Sequence, residues 1–484
     1  MKKIFLATIL IPTAAALQAR EQQPDVLFIF LDDMTYNGIK ALGNDQVITP
    51  NLDRIVKGGV RFENAYNMGA WNGAVSMASR TQLMTGMGVW RAFAAQNTDK
   101  FKSLVEGELL LPQVMRKGGY KTYHTGKWHM AHVNPANIFD EVEAVRPGMP
   151  EDNYKTTRVG YARPQSREDN AWQPWDTSMG GYWKGGKHWS EVQADLVIGY
   201  IDRNKSSEKP LFISCAFNAP HDPRQSPKEF VDMYPVDKIN VPKSFQQQHP
   251  LMVEMECDQR LRDEDLAPFP RTEYAVQKHR QEYYAIITHL DQQIGRLMES
   301  LERSGRADKT LIVLSADNGL AMGNHGLLGK QSMYEHSVKV PLVIGGCGLP
   351  RGERRRELVY LQDLVPTIYD VAGVEQPRTM EFKSLLPLVK SAKAPAVREA
   401  IYGSYIKRQR MVRDERYKIY FIPDAKRFYL FDLKRDPLEM NDISEREDSR
   451  EIIKRMAKLY RETAASVGDE FSIEALYPDV FGLK

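Results

Sequence analysis

The sequence predicts an α/β fold, in which a large, mixed but mostly parallel sheet lies between helices and is followed by a smaller antiparallel sheet and a helix. Up to residue 372, continuous apolar runs of strand length alternate with helical patterns, as parallel strands buried on both faces do. Beyond residue 400 the runs become short and alternating, which is typical of antiparallel strands. We therefore expect a larger domain over residues 20–395 and a C-terminal subdomain over residues 396–484.

Each element of the larger domain has its own signal. Strands are predicted where apolar residues run together, and helices where apolar residues recur at three-four spacing between a capping residue and a glycine. The clearest helix covers residues 272–304 and ends before Gly305. In chain order the predicted strands are 25–31, 60–66, 120–129, 211–217, 310–316 and 340–345, and the other helices are 49–55, 79–84, 110–117, 190–203 and 361–372.

The later part of the chain changes character. Short segments at 400–406, 411–413, 416–422 and 427–433 predict the small sheet, and residues 450–465 predict its helix. The basic cluster from Arg351 to Arg356 is interpreted as a solvated turn. An irregular excursion at 165–189 carries Trp172, Trp175, Trp183 and Trp189, which would either stack on sugar rings or pack the interior of the excursion.

The composition is that of a large globular protein. The chain has 484 residues, and 42% are hydrophobic, which is enough for more than one domain. With 66 Lys and Arg against 63 Asp and Glu, the formal net charge is +3, so overall charge gives no argument for nucleic-acid binding. Cys215, Cys257 and Cys347 are odd in number and widely spaced, which argues against a disulfide framework or a Cys-based metal site.

The N-terminus predicts export. Two lysines precede an apolar run from Ile4 to Leu17, and small residues end at Ala19. The run is too short to predict a membrane span, and no cysteine nearby could accept a lipid. We expect a signal peptide over residues 1–19 and a soluble periplasmic or secreted protein without stable membrane insertion. A buried N-terminal helix is the alternative.

Two predicted strands of the large sheet end in hard oxygen ligands. The first is followed by Asp32 and Asp33, and a later one by Asp317 and Asn318. Ligands collect at the carboxyl ends of strands in open α/β sheets, so these side chains are placed to meet. An isolated Asp pair more often caps a turn or helix, but three carboxylates and an amide suit Ca²⁺ or Mg²⁺ and not zinc. We expect one Ca²⁺ at these four residues.

The candidate nucleophile is Ser76. With Ala78 and Arg80 it resembles the active-site signature of the type I sulfatases, which have an alkaline phosphatase-like fold. In that family a Cys or Ser, followed two places on by Pro or Ala and four places on by Arg, heads a helix and is oxidised to formylglycine. The resemblance implies formylglycine at Ser76, whose hydrate offers two hydroxyls. One would attack sulfur, and the other would lose its proton as the carbonyl re-forms and expels sulfate.

Serine at this position is less common in the family than cysteine. It implies an oxygen-independent radical maturing enzyme as a partner. It would also result from an inactivating Cys-to-Ser replacement. The other alternative is that Ser76 only caps a helix, because serine is a preferred N-cap residue.

Three further motifs resemble the same family. Gly126-Lys127-Trp128-His129 implies that Lys127 and His129 contact the formylglycine and the sulfate, and the His325 to Lys330 stretch implies sulfate binding by Lys330, with His325 among the substrate-binding residues. Pro220-His221, after a buried strand, matches the family position whose histidine contacts the ester oxygen.

The resemblance also implies roles for these side chains. The metal, Lys127 and Lys330 would neutralise the sulfate oxygens, so that charge developing in the transition state meets fixed cations. Arg80 would hold the hydrated aldehyde, and His129 would be the base for the later elimination. His221 would protonate the leaving alcohol.

These expectations combine into one function. We expect an exported sulfatase that acts on sulfated carbohydrate through formylglycine and calcium. The alternatives are a phosphodiesterase or phosphonate hydrolase of the same superfamily, and a catalytically silent glycan-binding protein in which Ser76 stays unconverted.

Overall fold

The computed structural model describes residues 23–96, 98–148 and 162–481. The predicted signal peptide at 1–19 lies outside these ranges. Within them, no helix combines the length and the apolar character that crossing a bilayer requires.

The described residues contain two main sheets and one short two-stranded ribbon. In chain order the strands are β1 (Asp25–Leu31), β2 (Gly59–Tyr66), β3 (Gly69–Ala70), β4 (Lys121–Lys127), β5 (Glu141–Arg146), β6 (Trp183–Lys184), β7 (Lys187–His188), β8 (Leu211–Ala216), β9 (Thr310–Ala316), β10 (Leu342–Gly346), β11 (Glu353–Tyr360), β12 (Ile401–Tyr405), β13 (Gln409–Arg413), β14 (Tyr417–Ile422) and β15 (Arg427–Asp432).

The larger sheet has the strand order β11-β2-β10-β9-β1-β8-β4-β5. Its central strands β9, β1, β8 and β4 are parallel neighbours, and β10 runs antiparallel to both β9 and β2. Every residue of β1 and β8 is buried, as their continuous apolar sequences predict. The predicted large, mostly parallel sheet is confirmed.

The described residues form helices around this sheet and, near the C-terminus, beside the second sheet. They are α1 (Pro50–Gly58), α2 (Val75–Thr85), α3 (Val89–Gln96), α4 (Asp99–Glu106), α5 (Leu111–Lys117), α6 (Trp189–Arg203), α7 (Lys228–Asp232), α8 (Glu273–Arg303), α9 (Glu335–Val338), α10 (Leu364–Ala372), α11 (Leu386–Lys390), α12 (Arg450–Val467), α13 (Ile473–Leu476) and α14 (Pro478–Phe481). The longest, α8, begins where Thr272 Oγ1 accepts a hydrogen bond from the Ala275 amide at 3.1 Å.

The second sheet has the order β15-β14-β13-β12-β3, and α12 packs against it. Strands β12 to β15 pair antiparallel, which confirms the predicted small antiparallel sheet and its helix. The edge strand β3 comes from the early part of the chain and pairs parallel with β12, Gly69 opposite Ser404. The second sheet therefore takes one strand from outside the predicted C-terminal subdomain.

The basic cluster was expected to form a turn, and that prediction is wrong for most of its length. Residues Glu353–Tyr360 form the edge strand β11, which pairs parallel with β2. Arg355 turns inward and its Nε donates to the Leu388 carbonyl at 2.5 Å, while Arg354 and Arg356 are exposed. Charged side chains on an edge strand discourage pairing with other chains. Because these residues are charged and not apolar, the sequence pattern did not indicate a strand.

Candidate active site

The strand order of the large sheet brings the predicted site residues together. Because β9, β1, β8 and β4 are parallel neighbours, their carboxyl ends lie side by side at one edge. Asp317, Asp32 and Lys127 stand at the ends of β9, β1 and β4, and His221 follows β8 by a short loop. This edge is where open α/β sheets bind ligands.

Ser76 lies in the first turn of α2 and is 1% exposed. Its Oγ donates a hydrogen bond to Asp32 Oδ1 at 3.1 Å. The N-cap residue is Ala74, so the interpretation of Ser76 as only a helix cap is wrong. The start of a helix also directs free amides and positive dipole toward an anion bound near Ser76.

Arg80 follows Ser76 by about one helical turn and connects two strand ends. Its Nε donates to Asp317 Oδ2 at 3.1 Å, and one terminal nitrogen donates to the Lys127 carbonyl at 2.9 Å. The other terminal nitrogen lies 3.1 Å from Asp317 Oδ2 and 3.9 Å from Asp32 Oδ1. Arg80 therefore fixes α2 relative to β9 and β4.

The four predicted metal ligands are buried and adjacent. Asp33 has a positive φ of 62° and its amide donates to Asp317 Oδ1 at 3.1 Å, while Asn318 Nδ2 donates to Asp33 Oδ1 at 2.7 Å. Asn318 Oδ1 is buried and has no hydrogen-bond partner among the described residues. This amide oxygen beside three carboxylates fits a hard cation such as Ca²⁺.

A histidine also approaches this group. His221 Nε2 lies 3.6 Å from Asp33 Oδ2, and Asp32, Asp33 and His221 are close enough together to hold a metal ion. The sequence motif gave His221 a role with the substrate and no role with the metal. Its ring is fixed from the other side, because Nδ1 donates to the Asp222 carbonyl at 2.8 Å.

The two predicted lysines lie against the carboxylates. Lys127 Nζ is 2.5 Å from Asp32 Oδ2, and Lys330 Nζ is 2.8 and 2.7 Å from the two oxygens of Asp33. Burial lowers the pKa of Lys127, although Asp32 opposes the shift. Burial acts the same way on Lys330, but Asp33 and Asp263 outweigh it and raise its pKa.

The charges of the cluster balance. The cluster contains three carboxylates and three cationic side chains, namely Asp32, Asp33 and Asp317 with Arg80, Lys127 and Lys330. Adding a divalent cation would therefore make the site positive. Burial raises the pKa of Asp32 despite Lys127, whereas Arg80 and Lys127 overcome burial and lower the pKa of Asp317. A positive and nearly dry site stabilises an anionic ester strongly.

Both catalytic histidine candidates are neutral near pH 7. Burial lowers the pKa of His221 to about 4 and that of His129, with help from Lys127, to about 2. His129 has a positive φ of 50°, and its buried Nδ1 has no hydrogen-bond partner in the described ranges. The unpaired nitrogen of His129 can accept a proton only after a bound anion has raised the pKa of the ring towards neutrality.

His325 lies apart from this cluster. Its ring stacks on Tyr334 at 4.1 Å between centroids, and Nε2 lies 3.3 Å from the Glu439 carbonyl. Among the described residues, His325 has no hydrogen bond or ion pair with Ser76 or Lys330. Its assignment to substrate binding stays a prediction.

Three charged residues beside the cluster have no signal in the sequence. Arg262 forms ion pairs with Asp222 and Asp263, and Asp263 lies 3.8 Å from Lys330 Nζ. These residues link the loop that carries His221 to the loop that carries Lys330. They lie in irregular polar sequence without periodicity, so no local signal could have identified them.

Two of the four tryptophans of the excursion are buried in its interior, and the other two are half-buried. Trp172 and Trp183 are buried, and Trp183 Nε1 donates to the Pro174 carbonyl at 3.2 Å. The Arg146 guanidinium lies 3.9 Å from the Trp189 ring centroid. Of the two interpretations, packing of the interior is the one that these contacts support.

Comparison with known proteins agrees with the geometry. A model of the sulfatase family matches residues 24–374, and a model described as the C-terminal part of N-sulphoglucosamine sulphohydrolase matches residues 323–466. An N-acetylglucosamine-6-O-sulfatase of Bacteroides thetaiotaomicron is 27% identical, over 96% of this chain and 91% of the relative.

Solved structures share the fold. A complex with the substrate D-glucosamine-2-N,6-O-disulfate aligns with a TM-score of 0.69 at 21% identity, covering 93% of this chain and 99% of the other. A phosphonate monoester hydrolase of Agrobacterium radiobacter aligns with a TM-score of 0.68 at 20% identity, covering 92% and 96%. At these identities the likeness shows the fold alone.

Proposed function

Because this chain belongs to the sulfatase family and is a sulfuric ester hydrolase, we propose that its substrate is a sulfated carbohydrate, cleaved with formylglycine at residue 76 and a bound calcium ion. The observation that carries the proposal is the position of Ser76. Its Oγ, at the start of α2, contacts Asp32 of the carboxylate cluster that Lys127 and Lys330 also contact.

The residues present fit both implied groups. Asp32, Asp33, Asp317 and Asn318 would hold the calcium ion, which would supply positive charge to polarise the sulfate. Formylglycine at residue 76 would supply a geminal diol for attack on sulfur and later expulsion of sulfate.

The other side chains orient and neutralise the ester. Lys127 and Lys330 place two ammonium groups where sulfate oxygens gain charge, and Arg80 holds α2 in register with them. His129 accepts a proton at its unpaired Nδ1. His221, fixed through Nδ1, delivers a proton from Nε2 to the leaving oxygen once the bound anion favours its protonated form.

The carbohydrate class is supported by the relatives. The curated relative is named for N-acetylglucosamine 6-sulfate, and one solved structure holds a disulfated glucosamine. Sulfated glucosamine units are therefore the first substrates to test.

The test is a panel of sulfated mono- and disaccharides and a phosphonate monoester, assayed on protein co-produced with a radical sulfatase-maturing enzyme. We expect sulfate release from at least one sugar. Faster cleavage of the phosphonate would favour the phosphonate hydrolase alternative. Sugar binding without any turnover would favour the silent glycan-binding protein.

We also propose that the chain is exported, on the strength of the lysine pair, the apolar run and the small residues in its first 19 positions. N-terminal sequencing of protein from the periplasm or medium should give a start at Leu17 or Arg20. An intact Met1 on the active protein would contradict export by cleavage.

A further inference from the structure

A cavity with a volume of about 890 Å³ lies beside the segment that follows β1. Its walls come from the segment after β1, from α8, from the loop after β9 and from the turns that follow β13 and β15. Ser76, Lys127 and Lys330, all described, do not line it. A cavity of this size holds a ligand as large as a small oligosaccharide unit.

Two cations in this cavity have no carboxylate within ion-pair distance in the part of the chain that the structure describes, although Glu335 and Glu63 lie near enough to Lys339 to act on its pKa. Lys339 Nζ lies 4.4 Å from the Tyr36 ring centroid, and burial lowers the pKa of this lysine. Arg280 donates to the Tyr284 hydroxyl at 2.6 Å and to the Met322 carbonyl at 3.4 Å. A half-buried cation without an ion pair is costly unless an anion accompanies it.

The remaining charges of the cavity are matched. Arg413 pairs with Glu335 at 3.1 Å, and Arg356 pairs with Glu63 at 3.3 Å. Arg416 pairs with Asp432 at 2.7 Å. Glu439, which also lines the cavity, pairs with Lys418 at 2.8 Å, and the remaining two charged residues, Lys434 and Glu415, are exposed and opposite in sign. The net charge of the cavity therefore resides on Lys339 and Arg280.

Three polar atoms around the same cavity are buried without a hydrogen-bond partner among the described residues. They are Arg280 Nε, His325 Nδ1 and His336 Nε2. Buried polar groups are nearly always paired in native proteins, so these three atoms mark a part of the cavity wall that is polar and incompletely hydrogen-bonded. The two histidine rings lie 5.4 Å apart between centroids.

We propose that this cavity binds an acidic sugar unit of a glycan, with its sulfate or carboxylate group held by Lys339 and Arg280. The choice of a glycan as ligand rests on the proposed function, whereas the anion site rests on the charges alone. Inorganic sulfate offers the same anionic chemistry but would fill only a small part of the volume.

The cavity also adjoins the segment after β1 that contains the proposed metal ligand Asp33. The Tyr283 hydroxyl accepts a hydrogen bond from the Thr35 amide at 3.0 Å and donates to the Asp33 carbonyl at 2.7 Å. Thr35 and Tyr283 both line the cavity. A bound sugar therefore rests on the segment that carries Asp33.

The test is calorimetric titration of the full chain with Ser76 unconverted, so that no ligand is consumed. The probes are a heparin-derived sulfated tetrasaccharide, a neutral N-acetylglucosamine tetramer and inorganic sulfate. The variants are Lys339→Met and Arg280→Gln, each checked for an unchanged thermal midpoint. Lys390→Met is the matched control, because Lys390 lines a different cavity at the opposite end of the sheet.

We expect two sulfated tetrasaccharides per wild-type chain, and loss or at least tenfold weakening of one of them in each cavity variant. The control variant should bind as wild type does. Unchanged binding in both cavity variants would overturn the proposal, and so would equal affinity for the neutral tetramer or for sulfate alone. If protein co-produced with the maturing enzyme released no sulfate from any sugar of the panel while this binding persisted, the proposed function would fail and the anion site would stand.

Discussion

Ser76 has only an acidic neighbour at hydrogen-bonding distance. Its Oγ donates to Asp32, and no histidine in the described part of the chain contacts it. An unmodified serine here lacks the adjacent base that a serine nucleophile needs. We therefore predict that active protein carries formylglycine at this position.

Mass spectrometry of the peptide spanning Ser76 should show a species lighter by two hydrogen atoms and reactive toward hydrazides. Protein from a host without the maturing enzyme should show only serine and no turnover. Full turnover by unconverted protein would favour a direct serine nucleophile.

The two buried lysines give a second prediction at this scale. Lys127→Ala and Lys330→Ala should each lower kcat by roughly 10²–10³, because each removes one fixed charge-stabilising group. Steady-state kinetics on a sulfated sugar measure the loss. The control is Lys393→Ala, at an exposed position, which should keep normal turnover. A loss of only twofold in both buried variants would remove these lysines from the mechanism.

At the scale of elements, β3 connects the helix of Ser76 to the second sheet. Gly69 has a φ of 83°, and a side chain there would collide with the Ser404 carbonyl of β12. We predict that Gly69→Ala destabilises the fold by about 3 kcal/mol or more. Gly58→Ala is the control, because a side chain at Gly58 meets nothing within 4 Å. Equal urea-unfolding midpoints for the two variants would contradict this prediction.

A buried charge network within the second sheet gives a pH prediction. Lys418 lies 3.2 Å from Glu335 Oε1 and 2.8 Å from Glu439 Oε1. Arg413 and Lys418 overcome burial and lower the pKa of Glu335 to about 2, whereas burial raises the pKa of Glu439 to about 7. Lys418 thus forms ion pairs with two carboxylates, and Glu439 is the one that binds a proton more readily.

The raised pKa of Glu439 determines how the stability of the fold changes with pH. A carboxyl whose folded pKa is raised contributes most stability below its unfolded pKa, and that contribution is lost as pH rises toward 7. Between pH 4.5 and 8, the free energy of unfolding of the wild type should therefore fall by about 1–3 kcal/mol relative to that of Glu439→Gln. Urea unfolding of both proteins at pH 5 and pH 8 measures this. Parallel pH profiles would show that Glu439 is ionised in the fold.

At the scale of the whole molecule, the metal should stabilise the chain. A ligand that binds only the folded state at one hundred times its Kd adds about 2.7 kcal/mol. We predict one Ca²⁺ per chain by metal analysis, and a rise in the thermal midpoint when calcium is added after chelation. Asp317→Ala should lose this rise, and Asn324→Ala, outside the cluster, should retain it. Zinc as the resident metal would contradict the assignment.

The parts of the fold that the sequence predicts correctly are those with strong local signals. The strands β1, β8 and β9 are evident from their buried apolar runs, and α8 is evident from three-four spacing sustained over about 30 residues. The residues after those strands lie together because parallel strands end at one edge of the sheet. β11 was missed because its charges obscure the pattern. Arg262 and Asp263 were missed because their positions depend on contacts between loops far apart in sequence.

The pairing of β3 with β12 has a consequence for the order of events in synthesis. The helix that carries Ser76 emerges early, but its neighbouring strand finds its partner only after nearly the whole chain has been made. Ser76 is 1% exposed once that assembly is complete. Any enzyme that modifies this side chain must therefore act during the interval before the last strands arrive, so the pace of translation and folding sets the time available for maturation.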